Sequence, residues 1–415
     1  MAITIENIAL TKFFLALALL SVSAHFFGYI FTKFRMPKVT GEIFGGLVFG
    51  PTIFGYFLPG LYKRIFLAEG ELLAIVYWLG LVLLMFNSGF ELERDFNEKD
   101  KKTITWLVVG STIIPLIFGW YSTSFFSLKS LIGSANSLLS LKIVIAVAIA
   151  VTSIPVLSKM FMDLGIIKTR FAKIVLSTAT FHDIILWVFV TIATGIVSGA
   201  VFSIYVVSMH VLISLVFFAI ALLLMPKIIQ FVDNLRLNLI PENYETGFIL
   251  LILLFFVVIA GYFDINVAFG AFLAGIVVGF IKNPKFQKVK VHVKEFSLAL
   301  FVPIYFAIVG IKLDLIHNLD LIFFITFSLF AFIVQGVGVF ITTKLLGYDW
   351  KSSLNYAIVM NDRGGPCIVL ATIALDFGII SENFFTTLVL LAIITSITAG
   401  SWLKYVINKK WKVLN

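Results

Sequence analysis

Stretches of about 20 mostly apolar residues recur along almost the whole chain and leave little sequence between them. A helix needs about 20 such residues to cross roughly 30 Å of hydrocarbon. Of the 415 residues, 60% are hydrophobic and 13% are charged, whereas soluble domains carry roughly 25% charged residues. The chain is therefore predicted to be an all-α polytopic membrane protein. The pattern predicts about thirteen transmembrane helices, near residues 12–33, 39–58, 70–91, 103–127, 139–161, 171–198, 203–225, 246–262, 266–282, 296–312, 319–346, 352–376 and 384–408.

Basic residues collect in the loops that follow odd-numbered spans. Short cytoplasmic loops carry an excess of Lys and Arg, so this asymmetry places the N-terminus outside and the C-terminus in the cytoplasm. It also accounts for the net charge of +9 without a nucleic-acid partner. The basic residues after odd-numbered spans include Lys33, Arg35, Lys38, Arg94, Lys101, Lys102, Lys168, Arg170, Lys227, Arg236, Lys282, Lys285, Lys344, Lys351, Lys409 and Lys412, against Lys63, Arg64, Lys129 and Lys312 after even-numbered ones.

Thirteen spans can be divided into two groups of six helices with one linker helix between them. The eighth span then starts on the opposite side of the membrane from the first, so the two six-helix repeats are predicted to be inverted. Residues 1–415 are expected to form a single transmembrane domain, with repeat one at about 12–198, a linker helix at about 203–225 and repeat two at about 246–408. A soluble regulatory domain is not expected, and the start of the chain does not resemble a cleavable signal peptide.

The fifth and twelfth spans, which correspond in the two repeats, are both interrupted at their centres. Residues 151–155 read VTSIP, and residues 361–366 read NDRGGP. Polar or Pro/Gly interruptions at corresponding positions of two halves are the best sequence indication of a midplane binding site. The sequence therefore predicts two discontinuous helices that cross near the membrane centre. The alternative is two unrelated proline kinks.

The sixth span carries an ionisable pair, His182 and Asp183, in the middle of an apolar helix at about 173–196. A charged carboxylate at this depth costs about 2.5 kcal/mol or more, so such residues usually line a wet pathway or pair with another group. Asp183 is therefore the first functional candidate. The alternative is a structural carboxylate that a Lys or Arg of a neighbouring helix neutralises.

Several ordered stretches resemble the monovalent cation:proton antiporters of the second, CPA2-type branch. Each motif is weak alone, but the set spans nearly the whole chain in the order that the family shows. The stretches are 37–43 (PKVTGEI) with 50–51 (GP), 80–86 (GLVLLMF) with 89–92 (GFEL), 152–157 (TSIPVL) with 163–165 (DLG), 269–275 (FGAFLAG), 309–314 (VGIKLD), 360–361 (MN) and 363–364 (RG).

This resemblance implies roles for particular residues. The family's essential ion-binding aspartate, the second of an acidic pair, falls on Asp183. The polar residues at the first helix break fall on Thr152 and Ser153, and the broken-helix arginine falls on Arg363. Gln335 occupies the place of a lysine that many members carry.

The chain departs from the family pattern in two ways, the missing lysine and His182 in place of the first acid of the pair. In the family a neutral first residue accompanies electroneutral exchange, so one proton for one cation is expected. His182 could itself titrate near neutral pH. It could be a proton carrier, a hydrogen-bonding strut or a cation-excluding charge.

Exchange requires one site that either a proton or a cation can neutralise, and a lone carboxylate meets that requirement. Na⁺ and K⁺ prefer oxygen ligands, which Asp183, the hydroxyls of Thr152 and Ser153, carbonyls freed near Pro155 and water could supply. Half-helix ends at the breaks would add oriented dipoles.

Four further residues are expected to support the site. Arg363 is expected to bind an acidic partner, for which Glu42 and Asp362 are the candidates. Asn361 and Gln335 are expected to assist from the broken helix and from the span that lacks the lysine.

The sequence thus predicts a plasma-membrane antiporter that exchanges Na⁺, or K⁺, for H⁺ without a cofactor. The resemblance adds a homodimer in contact with membrane lipid. The alternatives are a channel-like K⁺ efflux protein on the same fold and a membrane sensor without transport. An enzyme is not expected, because the chain contains neither an HExxH nor a GxSxG motif.

Overall fold

The computed structural model describes residues 6–34, 36–68, 70–90, 100–198, 209, 212–213, 216–217, 219–225, 227–228, 245–263, 265–281, 284–409 and 411. These residues are almost entirely helical. Within these described ranges, ten helices, with interrupted ones counted once, are long and apolar enough to cross a membrane, as expected of an integral membrane protein. The main helices are α1 (Asn7–Lys33), α2 (Lys38–Phe49), α3 (Gly70–Phe90), α4 (Lys101–Tyr121), α5 (Leu138–Ala150), α6 (Ile154–Asp163), α7 (Arg170–Ser198), α8 (Glu245–Tyr262), α9 (Val267–Gly279), α10 (Pro284–Phe296), α11 (Val302–Ile311), α12 (Leu321–Leu345), α13 (Trp350–Val359), α14 (Gly364–Asp376) and α15 (Glu382–Asn408).

Eleven of the predicted spans coincide with these helices, and a twelfth coincides only in part. The thirteenth, at 203–225, lies largely outside the described residues, apart from short pieces that include a π-helical turn at Ile220–Leu224. The span predicted at 39–58 is wrong in length. α2 ends at Phe49, because Pro51 cannot donate a backbone hydrogen bond and disfavours helical geometry at Gly50. A turn and two four-residue helices, Phe54–Phe57 and Pro59–Tyr62, follow.

Local sequence sets several helix boundaries. Asp320, Asp349 and Ser381 each cap a helix, and their side-chain oxygens accept the backbone N–H groups of Phe323, Lys351 and Phe384 at 3.0 to 3.1 Å. Such caps satisfy backbone donors that have no partner within the helix. Gly165 and Gly378, with φ of 71° and 65°, lie just beyond the ends of α6 and α14, where the chain turns in a conformation that favours glycine.

Both predicted discontinuous helices are present. α5 and α6 are separated by three non-helical residues at 151–153, and α13 and α14 are separated at 360–363. Pro155 lies in the first turn of α6, where a missing N–H breaks no intrahelical hydrogen bond. Gly364 has a φ of 39°, and a β-carbon there would lie 2.6 Å from Ser153 Oγ, so the second break requires glycine.

The helices pack into two bundles. The first bundle contains α1, α2, α3, α8, α9, α10 and α11, and the second contains α4, α5, α6, α7, α12, α13, α14 and α15. The first three spans of each predicted repeat therefore lie in one bundle and the last three lie in the other. The two bundles meet along α7 and α9, whereas the most extensive packing lies within each bundle.

Small residues allow very close helix contacts inside the first bundle. A β-carbon on Gly46 would lie 1.8 Å from the carbonyl oxygen of Ala307, and one on Gly275 would lie 2.1 Å from that of Phe86. Larger residues at these positions would separate α2 from α11 and α9 from α3. The first bundle is therefore a tightly packed unit, as is typical of helix packing through small residues in membranes.

Candidate functional site

The two unwound segments contact each other directly in the second bundle. The backbone N–H of Ser153 donates to the carbonyl of Asp362 at 2.6 Å, and the Thr152 hydroxyl donates to the carbonyl of Met360 at 2.7 Å. All four residues are fully buried. Each break thus supplies hydrogen-bond partners for backbone groups of the other. Irregular backbone at membrane depth is tolerated only when its polar groups are satisfied in this way or face water.

Gln335, on α12, joins both breaks. Its Nε2 donates to the carbonyls of Ala150 and Met360 at 3.0 and 2.9 Å, and it lies 3.2 Å from the Thr152 hydroxyl. Its Oε1 is buried without a hydrogen-bond partner. Gln335 therefore ties the ends of α5 and α13 together as a neutral donor.

The hydrogen bonds of Arg363 go to backbone oxygens and to Asn361, and among the described residues neither acidic candidate, Glu42 or Asp362, forms an ion pair with it. Asp362, its neighbour in the chain, still interacts with the guanidinium electrostatically. Its guanidinium donates to the carbonyls of Ala148 and Ile149, both at 3.1 Å, and to that of Ala331 at 2.9 Å. It also donates to both oxygens of Asn361, at 3.1 and 3.2 Å. The ends of two helices carry roughly −0.5 charge each, so one guanidinium can offset both.

Glu42 does not reach this site. It lies on α2 in the first bundle, is 3% exposed, and forms an ion pair with Lys38 at 3.0 Å. The spacing of four residues on one helix explains the pairing. Glu42 is thus a local partner of Lys38 at the start of α2.

Asn361 holds the second break in place. Its Nδ2 donates to the carbonyls of Ala357 and Phe332 at 2.9 and 3.3 Å, and its Oδ1 accepts from Arg363. It therefore connects the end of α13 with α12 and with the guanidinium.

Asp183 lies in the middle of α7, which packs against α4, α5 and α6. The side chain is 2% exposed, and its Oδ1 has no hydrogen-bond partner. Within the described part of the chain, Asp183 forms no ion pair. Among the described residues, therefore, no Lys or Arg neutralises Asp183, and the alternative of a structural carboxylate finds no support there.

His182 faces α4, where its Nε2 lies 2.7 Å from the hydroxyl of Ser111. That hydroxyl also bonds the carbonyl of Leu107 and must use its single hydrogen there. It therefore accepts from His182, which places the imidazole hydrogen on Nε2. Through this hydrogen bond His182 links α7 to α4, as a structural strut between two helices would.

Several buried oxygens at the breaks, on α12 and on α7 have no hydrogen-bond partner among the described residues. They include Asp183 Oδ1, Ser153 Oγ, Gln335 Oε1 and Asp362 Oδ2. Leaving such a group unpaired in a buried setting costs about 1–3 kcal/mol, and an ion or water is a common explanation. Thr152, by contrast, uses its hydroxyl within the crossing, and the carbonyls at the end of α5 are bound by Arg363 and Gln335.

Sequence reasoning missed the small polar residues that support these groups. Ser111 holds His182, the Ser396 hydroxyl bonds Asp362, and Thr395 Oγ1 accepts the backbone N–H of Arg363 at 3.3 Å. All three lie within apolar spans, α4 and α15. A Ser or Thr in a transmembrane helix is a weak signal, because its hydroxyl can also bond its own helix backbone.

A cavity of about 310 Å³ lies between the two bundles, near the face of the protein at which α7 and α14 end. It borders α3, α8 and α9 of the first bundle and α7 of the second. The lining of the cavity is mostly apolar, and its polar side chains are Thr194 and Asn266. The lining residues are Trp78, Thr194, Gly261, Ile265, Asn266, Val267 and Phe377.

Two interrupted helices that contact each other at their breaks, packed with a helix that carries a buried carboxylate, are typical of a secondary ion transporter. A sequence model of the family "Sodium/hydrogen exchanger, transmembrane" matches residues 21–409, and the chain belongs to this family. The family consists of transporters and not of enzymes.

Characterised relatives cover most of the chain. It is 28% identical to the Na⁺/H⁺ antiporter NhaS4 of Synechocystis over 385 residues, which is 90% of this chain and 92% of that protein. It is 25% identical to the Na⁺/H⁺-K⁺ antiporter GerN of Bacillus cereus, over 97% of this chain and 98% of that protein. The K⁺/H⁺ antiporter 1 of Saccharomyces cerevisiae is 29% identical over 93% of this chain but only 45% of its own length.

The fold matches that of a solved transporter. The sodium proton antiporter MjNhaP1 of Methanocaldococcus jannaschii superposes with a TM-score of 0.68 over 98% of this chain and 100% of that chain. The two sequences are 16% identical, so this likeness concerns the fold alone. It supports the predicted antiporter-type architecture with inverted repeats and broken helices.

Proposed function

We propose that this protein exchanges a monovalent cation for a proton and that Asp183 is the group for which the two ions compete. The observation that carries the proposal is a buried carboxylate that has no ion-pair partner among the described residues and lies on a helix packed against α5 and α6, the two halves of the first interrupted helix. The names of the relatives, which are Na⁺/H⁺, Na⁺/H⁺-K⁺ and K⁺/H⁺ antiporters, support the same class of transport.

Competition at one carboxylate is sufficient to couple the two fluxes. A proton on Asp183 removes the charge that attracts a cation, and a bound cation removes the charge that holds the proton. Ser153 Oγ and water are the proposed additional oxygen ligands, while Thr152 is proposed to shape the site through its bond to Met360. Since Gln335 and His182 add no fixed charge, one proton is proposed to exchange for one cation.

Alternating access is proposed to come from movement of the second bundle against the first. The crossing is held together by hydrogen bonds within the second bundle, so the site can move as one body. The cavity between the bundles provides space on one side, next to Thr194 of the same helix that carries Asp183. Rocking of one bundle against the other is the general mechanism of inverted-repeat transporters.

The proposed setting is the plasma membrane, with the N-terminus outside and the C-terminus in the cytoplasm, and the basic loops support this orientation. The described chain is proposed to act as one transport domain, and a homodimer is proposed from the family resemblance. Na⁺ is proposed as the transported cation, with K⁺ as the alternative. Both accept the same oxygen ligands.

Purified protein in liposomes with a pH-sensitive dye tests the proposal. Addition of Na⁺, K⁺ or Li⁺ should release or consume protons, and the rate should be unchanged when the membrane potential is clamped. Cation flux that persists without coupled proton movement would identify a channel. Specific ion binding without any exchange would identify a sensor, and either result would reject antiport.

His182→Gln is expected to retain exchange within about threefold, because glutamine can still donate to Ser111 and because the imidazole is proposed to act as a strut. His182→Ala should also remain active, with a displaced pH profile and a loss of about 1 kcal/mol in stability from the missing hydrogen bond. Exchange at several pH values and thermal unfolding of both variants measure these effects. An inactive but normally folded His182→Gln protein would instead make the imidazole an obligatory proton carrier.

A further inference from the structure

A second polar cluster lies where α3, α11 and α14 meet. Lys312, the residue after α11, donates to Asp376 Oδ1 at 2.6 Å, and the hydroxyl of Tyr77 on α3 donates to Asp376 Oδ2 at 2.7 Å. The Lys312 ammonium also lies 4.2 Å from the centre of the Tyr77 ring. Both carboxylate oxygens of Asp376 are therefore engaged, and each of the three groups contacts the other two.

These contacts connect the two bundles. Tyr77 and Lys312 belong to the first bundle, whereas Asp376 is the last residue of α14 in the second. The charged side chains are partly shielded, at 29% and 23% exposure for Lys312 and Asp376, and charge-assisted hydrogen bonds in such settings are stronger than neutral ones. The lysine also offsets an unfavourable position of Asp376, because a carboxylate at a helix C-terminus faces the negative end of the helix dipole.

Tyr77 is held rigidly for this contact. It is 3% exposed and stacks on the buried ring of Tyr305 from α11, with centroids 5.2 Å apart and an interplanar angle of 29°. The first bundle therefore presents a preformed receptor for the carboxylate of Asp376. Ordering these side chains requires little further loss of entropy when the two bundles come together.

The cluster also borders the cavity between the bundles. Trp78 and Phe377, which line the cavity, are the chain neighbours of Tyr77 and Asp376. Any movement of α14 relative to α3 and α11 would therefore change both the cavity and the ion pair. A contact that is formed in one arrangement of the bundles and broken in the other biases the balance between them.

We propose that Tyr77, Lys312 and Asp376 are positioning residues that clasp the two bundles together on this face and release once in each transport cycle. The role in transport rests on the proposed exchange function, whereas the clasp itself is a property of the bundle arrangement. Loss of one charge should shift the equilibrium between the arrangements about tenfold away from the clasped one.

Pulsed electron–electron distance measurements between two spin labels test the clasp directly. Gly60→Cys places one label on the first bundle, at an exposed site where a β-carbon meets no atom within 4 Å, and Ser124→Cys places the other on the second bundle. The native Cys367 is fully buried, beyond the reach of the label. In Asp376→Asn and Lys312→Gln we expect a second distance to gain population, with a smaller gain in Tyr77→Phe.

Two matched variants separate the clasp from a general effect of charge. Lys312→Arg keeps the positive charge and should retain the distance distribution of the parent protein. Asp314→Asn removes a carboxylate on the same face that binds His317 at 2.7 Å at the end of the first bundle, and it should also leave the distribution unchanged. Unchanged distances in both Asp376→Asn and Lys312→Gln would overturn the proposal.

Transport measurements on oriented vesicles add a second readout. A shift between the two arrangements should move the half-saturating cation concentration in opposite directions on the two sides of the membrane, which a purely structural defect would not do. If the parent protein shows no exchange at all, the proposed function fails while the distance measurement still tests the clasp. The two failures are therefore distinguishable.

Discussion

Asp183→Asn is expected to abolish cation–proton exchange, with at least a 100-fold loss of rate, while the protein remains folded. Asparagine has nearly the same shape but can neither release a proton nor neutralise a cation. Because Asp183 Oδ1 has no partner among the described residues, the substitution breaks no hydrogen bond at that atom and should not lower thermal stability. Dye-detected exchange in liposomes and unfolding in detergent measure the two effects.

A matched control for this substitution lies in the same bundle. Asp163 is an exposed carboxylate at the end of α6, and Asp163→Asn should exchange at the parent rate. Parent-like exchange in Asp183→Asn would reject the site assignment. An unfolded Asp183→Asn protein would show that the carboxylate has a structural partner, and it too would contradict the proposed site.

Arg363→Gln is expected to cause the largest loss of stability of any single substitution near the site. The guanidinium binds the carbonyls of Ala148, Ile149 and Ala331, which lie in a fully buried region. The carbonyls of Ala148 and Ile149, in the last turn of α5, and of Asn361, just after α13, would lose this donor. Each such carbonyl left unpaired costs about 1–3 kcal/mol, so a total loss of about 3 kcal/mol or more is expected. The uncompensated C-terminal ends of α5 and α13 add to this cost.

Thermal unfolding and the yield of folded protein measure this effect. Arg363→Lys keeps the charge but has only three donors, so we expect an intermediate loss. Arg64 is an exposed arginine outside the crossing, and Arg64→Gln should unfold within a few degrees of the parent protein. A fully stable Arg363→Gln protein would show that the helix breaks do not depend on the guanidinium.

The sequence alone determined the class of protein and the main positions of interest. Apolar stretches of about 20 residues predicted eleven spans that coincide with described helices, because most membrane-crossing helices need about that length. The stretch at 39–58 was wrong in length, since a proline ends its helix early. The interruptions at 151–155 and 361–366 predicted both broken helices, since proline and glycine act on the backbone locally. Asp183 was identifiable because a carboxylate in an apolar helix is costly wherever it points.

Only the tertiary structure decided which groups meet. The sequence offered Glu42 and Asp362 as acidic partners of Arg363. Glu42 lies in the other bundle, Asp362 accepts a hydrogen bond from Ser396, and the guanidinium donates to backbone carbonyls. Likewise, Lys312 and Asp376 are 64 residues apart in sequence, and only the packing of the two bundles brings their side chains within 2.6 Å. Hydropathy and local propensity report the surroundings of a residue along its own helix. The angle and rotation with which separate helices pack depend on all side chains together, so the contacts across the breaks and between the bundles were not readable beforehand.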